Sequence, residues 1–455
     1  MQSRKRPISF AVLLVMVFLV TQTDTWGSSS PINNCWTSQN ESPFEVHWNH
    51  TYGGQGHEIA FSVVHTANEG YHLVGQTTSY GDDFGDIWLV KTNSNGVIQW
   101  NKTYGQVKIE ETALSLIETI DGGFVIYGHR YAIGLEYGLW LLKVDNNGIV
   151  QWSQTYNSET DILTEGEDAI QTQDGGFALV GTKWNTSSGQ KDAWLIKTDS
   201  AGKMQWNQTY GGPSMDKGYS LIQLMDGGYF LVGNTQSYGS GKGDAWLVKT
   251  DEIGRVKWNR TFGGPEDDYT NEILQLSDQT YILSGGTESY GAGKSDFWLL
   301  KIDNLGTVIW NHTCGGPEDD WGRGIVQTKD GGFALIGDTH SEGGEDTNMW
   351  LVKTNENGNV QWNKSLGGAN IEQGRELTTT PDGGLALVGE TISYGAGGRD
   401  MWMVKLTPPA KTFTDETTSS TSTIDTTSRP TPSPDILNFT LCLGLIMIFK
   451  KYRRK

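Results

Sequence analysis

Two short stretches hold most of the oxygen ligands that a cation would need. GGPEDDY supplies Glu266, Asp267 and Asp268, and GGPEDDW supplies Glu318, Asp319 and Asp320. GDDFGD adds Asp82, Asp83 and Asp86, and SEGGEDTN adds Glu342, Glu345 and Asp346. Dense carboxylate oxygens suit Ca2+, which takes roughly six to eight oxygen ligands. The competing reading is a set of solvated loops, because short charge runs alone specify no metal. No EF-hand loop is present: DNNG at Asp145 places its glycine too early. No cofactor is required by any motif, and Ca2+ is the single candidate.

Other chemistry finds little support. GAGKS, Gly291–Ser295, hints at a phosphate loop, but the position that should carry its first glycine holds Glu288. There is no His-Glu-x-x-His and no Gly-x-Ser-x-Gly, and no histidine recurs with the repeat described below. A paired-carboxylate glycosidase would draw its two residues from different parts of the chain, and no motif singles them out. Asn-x-Ser/Thr acceptors stand at Asn40, Asn49, Asn101, Asn185, Asn207, Asn259, Asn311 and Asn363, with one more at Asn438. Six of them share the context W-N-x-[TS]. They read either as glycosylation sites or as part of a strand pattern.

That shared context is one piece of an internal repeat. Its tryptophan falls at Trp48, Trp100, Trp152, Trp206, Trp258, Trp310 and Trp362, in steps of 52, 52, 54, 52, 52 and 52. A second series, in D-x-W-L-V-K contexts, falls at Trp88, Trp140, Trp194, Trp246, Trp298, Trp350 and Trp402. Together they use 14 of the 18 tryptophans. Repeats of this length signal propellers or solenoids. Within one repeat, GYSLIQL, YFLVGNTQS, AWLVKTD and RVKWNRTF are short alternating runs separated by Asp-Gly or Gly-rich turns, the mark of antiparallel strands joined by hairpins. Four such strands per repeat make a propeller blade. The fold class is therefore all-β, a seven-bladed β-propeller of four-stranded antiparallel blades over residues 45–407.

The ends of the array specify its closure. EVHWNHTYGG, Glu45–Gly54, is a fourth strand with no blade before it, and the last blade stops after its third strand, MWMVKL. The N-terminal strand is expected to pair, over Val46–Tyr52, with Met401–Leu406 and close the ring, which removes exposed edges. Asp251 and Gly254 suit the turn between third and fourth strands, and Trp258 offers an apolar plate to a neighbouring blade.

The motifs T-x-D-G-G-[FYL], D-x-W-L-[VLI]-K, D-x-x-G-x-x-x-W and W-N-x-T-Y-G-G resemble those of exported β-propeller repeat proteins of archaea and bacteria, over about Glu45–Leu406. Asp251-x-x-Gly254-x-x-x-Trp258 is also similar to the tryptophan docking motif of quinoprotein dehydrogenases. There the Asp-to-Gly interval is one residue longer and the ring usually has eight blades, so the resemblance implies no quinone here.

Outside the repeats, residues 1–27 read as a secretory signal, with Arg4, Lys5 and Arg6 before an apolar run; a retained anchor is the alternative. Residues 408–435 form a Ser/Thr/Pro-rich stalk. The apolar segment 436–449 and the basic end 450–455 read as a membrane anchor with a cytoplasmic tail, or as a sorting signal that is cut off. The propeller would then stand at the cell surface. Cys35 and Cys314 are one possible disulfide, while Cys442 sits in the apolar segment. The net charge of −19 opposes a nucleic-acid partner.

All differences in repeat length fall between blades or between second and third strands, and these two loop sets share one face of a propeller. Function is expected there. The reading is a binding or scaffolding module for a glycan or a surface protein; the alternative is an extracellular glycan hydrolase or lyase. Buried carboxylates or arginines converging at the channel mouth favour the enzyme, and a featureless polar channel favours the binder.

Overall fold

The computed structural model describes residues 43–66, 70–82, 84–132, 136–156, 162–185, 189–342 and 346–409. These form seven four-stranded antiparallel sheets, and no described residue is helical. We number the blades along the chain. Blade 4 shows the plan: inner strand Asp216–Gln223, second strand Tyr229–Thr235, third strand Asp244–Thr250 and outer strand Val256–Phe262. The second and third strands are buried on both faces, and the outer strand is half exposed. Inner strands of neighbouring blades touch all the way round, including Glu58–Thr66 of blade 1 with Glu372–Thr379 of blade 7.

Closure follows the expected register. Glu45–Tyr52 is the outer strand of blade 7, with Val46 opposite Leu406 and Tyr52 opposite Met401. Cys314, one end of the possible disulfide, is disulfide-bonded, and Cys35 lies outside the described residues. The segments read as signal, stalk and anchor also lie outside them. Among the described residues no helix is long and apolar enough to cross a membrane.

The repeated residues form two locks. The first joins blades. Each outer-strand tryptophan from Trp48 to Trp310 lies on the third-to-fourth-strand turn of the next blade, at Gly96, Gly148, Gly202, Gly254, Gly306 and Gly358. A Cβ on those glycines would meet the indole at 2.6 to 3.1 Å. Their φ values, 69° to 79°, already favour glycine. The hydroxyls of Tyr52, Tyr104, Tyr156 and Tyr210 donate to the carbonyls of the first four of these glycines at 2.5 to 2.8 Å. Trp362 instead packs on Phe44, with ring centroids 5.2 Å apart, at the seam of the ring.

The second lock lies within blades. Lys143, Lys197, Lys353 and Lys405, from the third strands, reach Asp121, Asp174, Asp330 and Asp382 of the first turns at 2.8 to 3.0 Å. As expected, Asp251 folds its turn, accepting from the amides of Ile253 and Arg255.

Candidate functional site: the mouth of the central channel

Every inner strand carries a bulge near its middle, for example between Ala60 and Ser62 and between Thr270 and Glu272. A bulge leaves a backbone amide without a ladder partner. In several blades the preceding blade supplies the missing acceptor. Ser62 Oγ accepts from Leu116 N at 3.1 Å, Glu272 Oε2 from Ile325 N at 2.7 Å, and Glu376 Oε2 from Val63 N at 2.7 Å. Asp168 takes the hydroxyls of Ser115 and Ser220 at 3.1 and 2.9 Å. Ser62, Ser115, Asp168, Ser220, Glu272, Gly324 and Glu376 occupy corresponding positions, so they form a polar belt around the channel. Burial, together with the Glu376 charge, holds Glu272 well above the usual carboxylate range. Burial lifts Glu376 to about 7 against the pull of Ser62 and the Val63 amide.

Each inner strand enters from an inter-blade loop, so its first residues lie toward the face that carries the variable loops. There the repeat breaks down. The residue just before the belt position is Phe61, Leu114, Glu167, Tyr219, Asn271, Arg323 and Arg375 in blades 1 to 7. With Tyr269 and Trp321 they line a cavity of about 530 Å3. Arg323 and Arg375 stand on adjacent blades, and Glu167 on blade 3 faces them across the ring.

Both arginines are braced from behind. Arg323 Nε and Nη2 donate to Asp338 Oδ2 at 3.1 and 2.7 Å. Arg375 Nη2 donates to Glu390 Oε1 at 2.7 Å and to Gln373 at 2.9 Å, and its guanidinium stands 5.2 Å over Phe61. Arg399 takes the other Glu390 oxygen at 2.9 Å. The Asp338 and Glu390 side chains are at most 1% exposed. Burial and then the nearby Arg323 charge lower the pKa of Arg375. On the far side Lys191 and Lys217 both bridge Glu165. Burial pushes Glu167 up to about 8 against the attraction of Lys217, so it stays protonated near neutral pH. The mouth is thus rich in cations on a chain of net charge −19. It can bracket an anion between two guanidiniums, stack a ring on Trp321 or Tyr269, and offer a carboxyl proton from Glu167.

The acidic loops are arranged differently from a contiguous oxygen cluster. Strand alternation turns Asp268 and Asp320 inward, fully buried. Asp268 clamps Thr287, the Ser289 hydroxyl at 2.6 Å and the Gly264 amide at 2.7 Å; Asp320 clamps Thr339, Ser341 and the Gly316 amide. Glu266 pairs with Lys242 at 2.6 Å, and Glu318 with Lys294 at 2.7 Å. Asp319 lies 3.8 Å from Lys294, and the Asp267 carbonyl accepts from the Glu288 amide. Lys294 belongs to the GAGKS loop, so its ammonium is committed to Glu318. Asp86 accepts from the Asp82 amide at 2.7 Å; Asp83 and Glu345 lie outside the described residues. Among the described residues no group of three or more His, Cys, Asp or Glu is placed to hold a metal ion.

The acceptor asparagines sit on outer strands, where Asn49, Asn101 and Asn207 are exposed and Asn259, Asn311 and Asn363 half-buried. Five of them accept from a third-strand indole: Trp402 Nε1 to Asn49, Trp88 to Asn101, Trp194 to Asn207, Trp246 to Asn259 and Trp350 to Asn363, at 3.0 to 3.5 Å. In blade 2, which has no acceptor motif, Ser153 takes the Trp140 indole at 2.7 Å. The indole bond therefore accounts for a polar residue at this position in either case. Asn40 and Asn438 lie outside the described residues, as does the side chain of Asn185.

Sequence reasoning missed the channel residues. The signal was present as disagreement: inner-strand positions at which seven otherwise similar repeats differ in charge and size.

Fold and site together define a closed seven-bladed propeller with a polar, aromatic-lined channel mouth. No family model matches the sequence, and no curated protein matches it. Among solved structures it is similar to Drosophila plexin A, described in complex with semaphorin 1b, at 8% identity over 80% of this chain and 88% of that one, with a TM-score of 0.46. The β-propeller domain of the trilobed protease of Pyrococcus furiosus matches at 10% identity over 79% and 97%, TM-score 0.44. The phage phi92 endosialidase matches at 9% identity over 88% and 75%, TM-score 0.40.

Proposed function

We propose that the protein is a binding module whose pocket is the channel mouth, and that it takes a glycan. One observation carries this reading: a cavity of about 530 Å3 lined, among the described residues, by aromatic rings and by a single carboxylate, Glu167, whereas its two braced arginines are the feature that favours the enzyme. That volume falls within the range of roughly 300–1,000 Å3 for small-ligand sites, which suits a few sugar units better than a folded surface protein. A glycan screen with the purified protein tests it. Binding should be lost in Trp321→Ala and kept in Asp226→Asn on the opposite face. Binding insensitive to Trp321 would refute the pocket.

The second reading, a glycan hydrolase or lyase, draws on the convergence of arginines and on Glu167, whose raised pKa suits a general acid. Among the described residues that line the cavity, Glu167 is the one carboxylate, whereas a glycosidase of the usual kind needs two. Product analysis after prolonged incubation with a bound glycan separates the readings.

Export and anchoring belong to the proposal through the signal-like start and the basic end. Protease shaving of intact cells should release the propeller by cutting within 412–434. Calcium at the triplets 266–268 and 318–320 is proposed on sequence grounds alone. Thermal unfolding with Ca2+ and with chelator tests it, and Asp267→Asn with Asp319→Asn should abolish any shift.

A further inference from the structure

The arginine pair specifies more than the existence of a pocket. Three guanidiniums, of Arg323, Arg375 and Arg399, share two buried carboxylates, Asp338 and Glu390. One positive charge is left unmatched. Arg375 Nε is buried without a hydrogen-bond partner. Such a donor is expensive to leave unmade. Burial lowers the pKa of Arg375, and the neighbouring Arg323 charge lowers it further. An oxoanion between the two guanidiniums would relieve their repulsion, and guanidinium forks suit planar carboxylates. Trp321 and Tyr269 line the cavity beside the pair, with Asn271 as a neutral hydrogen-bonding group. Across the ring Glu167 is protonated near neutral pH, so it neither repels an anion nor competes for the arginines.

We propose that the channel mouth selects acidic saccharides, with a sugar carboxylate seated between Arg323 and Arg375 and the ring laid on the adjacent aromatic side chains. This rests on the reading of the mouth as a glycan pocket and adds the charge of the ligand.

Titration calorimetry on the full chain tests it with oligosaccharides bearing glucuronate, galacturonate or N-acetylneuraminate, each beside its methyl ester. Esterification removes the charge and keeps the ring. At least one acid should bind about tenfold or more tightly than its ester, since a charge-assisted pair is worth about 1.5–3 kcal/mol. The preference should weaken as salt is raised. It should fall to within about twofold in Arg323→Met with Asp338→Asn, and in Arg375→Met with Glu390→Gln, where each pocket guanidinium is removed with the buried carboxylate that braces it. Melting curves confirm that each double variant folds; for one that does not, the acid-to-ester ratio of the native chain at low and high salt decides. Equal affinity of acid and ester throughout, or a preference that survives both double variants, overturns the proposal. Neutral saccharides that bind in a Trp321-dependent way without acid preference overturn only this inference. Failure of every saccharide to bind overturns the glycan reading as well.

Discussion

The indole of Trp206, in blade 3, occupies the space that a side chain on Gly254, in blade 4, would need: a Cβ there would stand 2.7 Å from Cζ3. Gly254 also has φ near 79°. Gly254→Ala therefore meets two penalties, about 1–2 kcal/mol for the left-handed backbone and about 1–3 kcal/mol for overpacking. Gly122→Ala meets only the first, because nothing lies within 4 Å of its would-be Cβ although its φ is 81°. Denaturant unfolding should show the Gly254 variant clearly the less stable of the two. Equal losses would remove the tryptophan dock as a stabilising contact.

Blade 5 supplies the converse case. Where blades 2, 3, 4, 6 and 7 place Gly122, Gly175, Gly227, Gly331 and Gly383 in the first turn, it has Gln279 at φ 62°. Gln279→Gly should raise stability by up to about 1 kcal/mol, the usual cost of a side chain in this region. The same denaturant measurement checks it.

Removal of residues 43–54 takes away the outer strand of blade 7 and the Phe44–Trp362 contact. The exposed edge of Asp400–Thr407 should then lower the melting temperature sharply and promote association between copies. Calorimetry and light scattering on the truncated chain report both.

Stability should peak in mildly acidic solution. Glu167 and Glu376, lifted by burial to about 8 and about 7 from an ordinary 4.5, bind protons more tightly folded than unfolded. Their contribution is complete below pH 4.5 and is lost as pH rises through those values. Asp121 is held at about 2 by the Thr119 hydroxyl and Lys143. For Asp174 and Asp382, burial pushes up but the lysine and threonine hydrogen bonds prevail, also giving about 2. The contribution of these aspartates is present above 3.8 and is lost as pH falls toward 2. Melting temperatures between pH 2 and 9 should rise and then fall, with the maximum near pH 4 to 5. A plateau from pH 5 to 8 would contradict the channel assignments.

The outer-strand asparagines can be tested against serine. Asn101→Ala leaves the Trp88 indole N–H without an acceptor and should cost about 1–3 kcal/mol. Asn101→Ser should recover much of it, as Ser153 serves Trp140 in blade 2. If alanine and serine are equivalent, the indole bond does not set this position.

The scaffold was legible because it is said seven times. Trp206, Asp251 and Gly254 recur with one spacing, and the solitary strand at Glu45 pairs with the blade that lacks one. The pocket was not legible by the same method. Tyr219, Asn271, Arg323 and Arg375 are single letters inside strands, far apart in the chain, and only ring closure brings them to one axis. The acidic run at Glu266 drew attention as a contiguous group, yet strand alternation sends Asp268 into the protein while Glu266 stays at the surface with Lys242. Local sequence carries no mark of that division until the start of the strand is fixed.

The placement of Glu45–Tyr52 against Asp400–Thr407 also sets an order of events during synthesis. The strand made first has to wait for the strand made last. Until the chain is nearly complete, the nascent protein holds an unpaired strand at its leading end and six or fewer finished blades behind it. Joining ends separated by some 350 residues costs about 5 kcal/mol of chain entropy if the intervening segment is flexible. Blades assembled in sequence replace that flexible segment with a stiff, curved arc whose ends are already near each other. Most of the closure cost is thereby spread over six earlier hairpin-scale steps. The final pairing then acts as a checkpoint that a truncated translation product cannot pass.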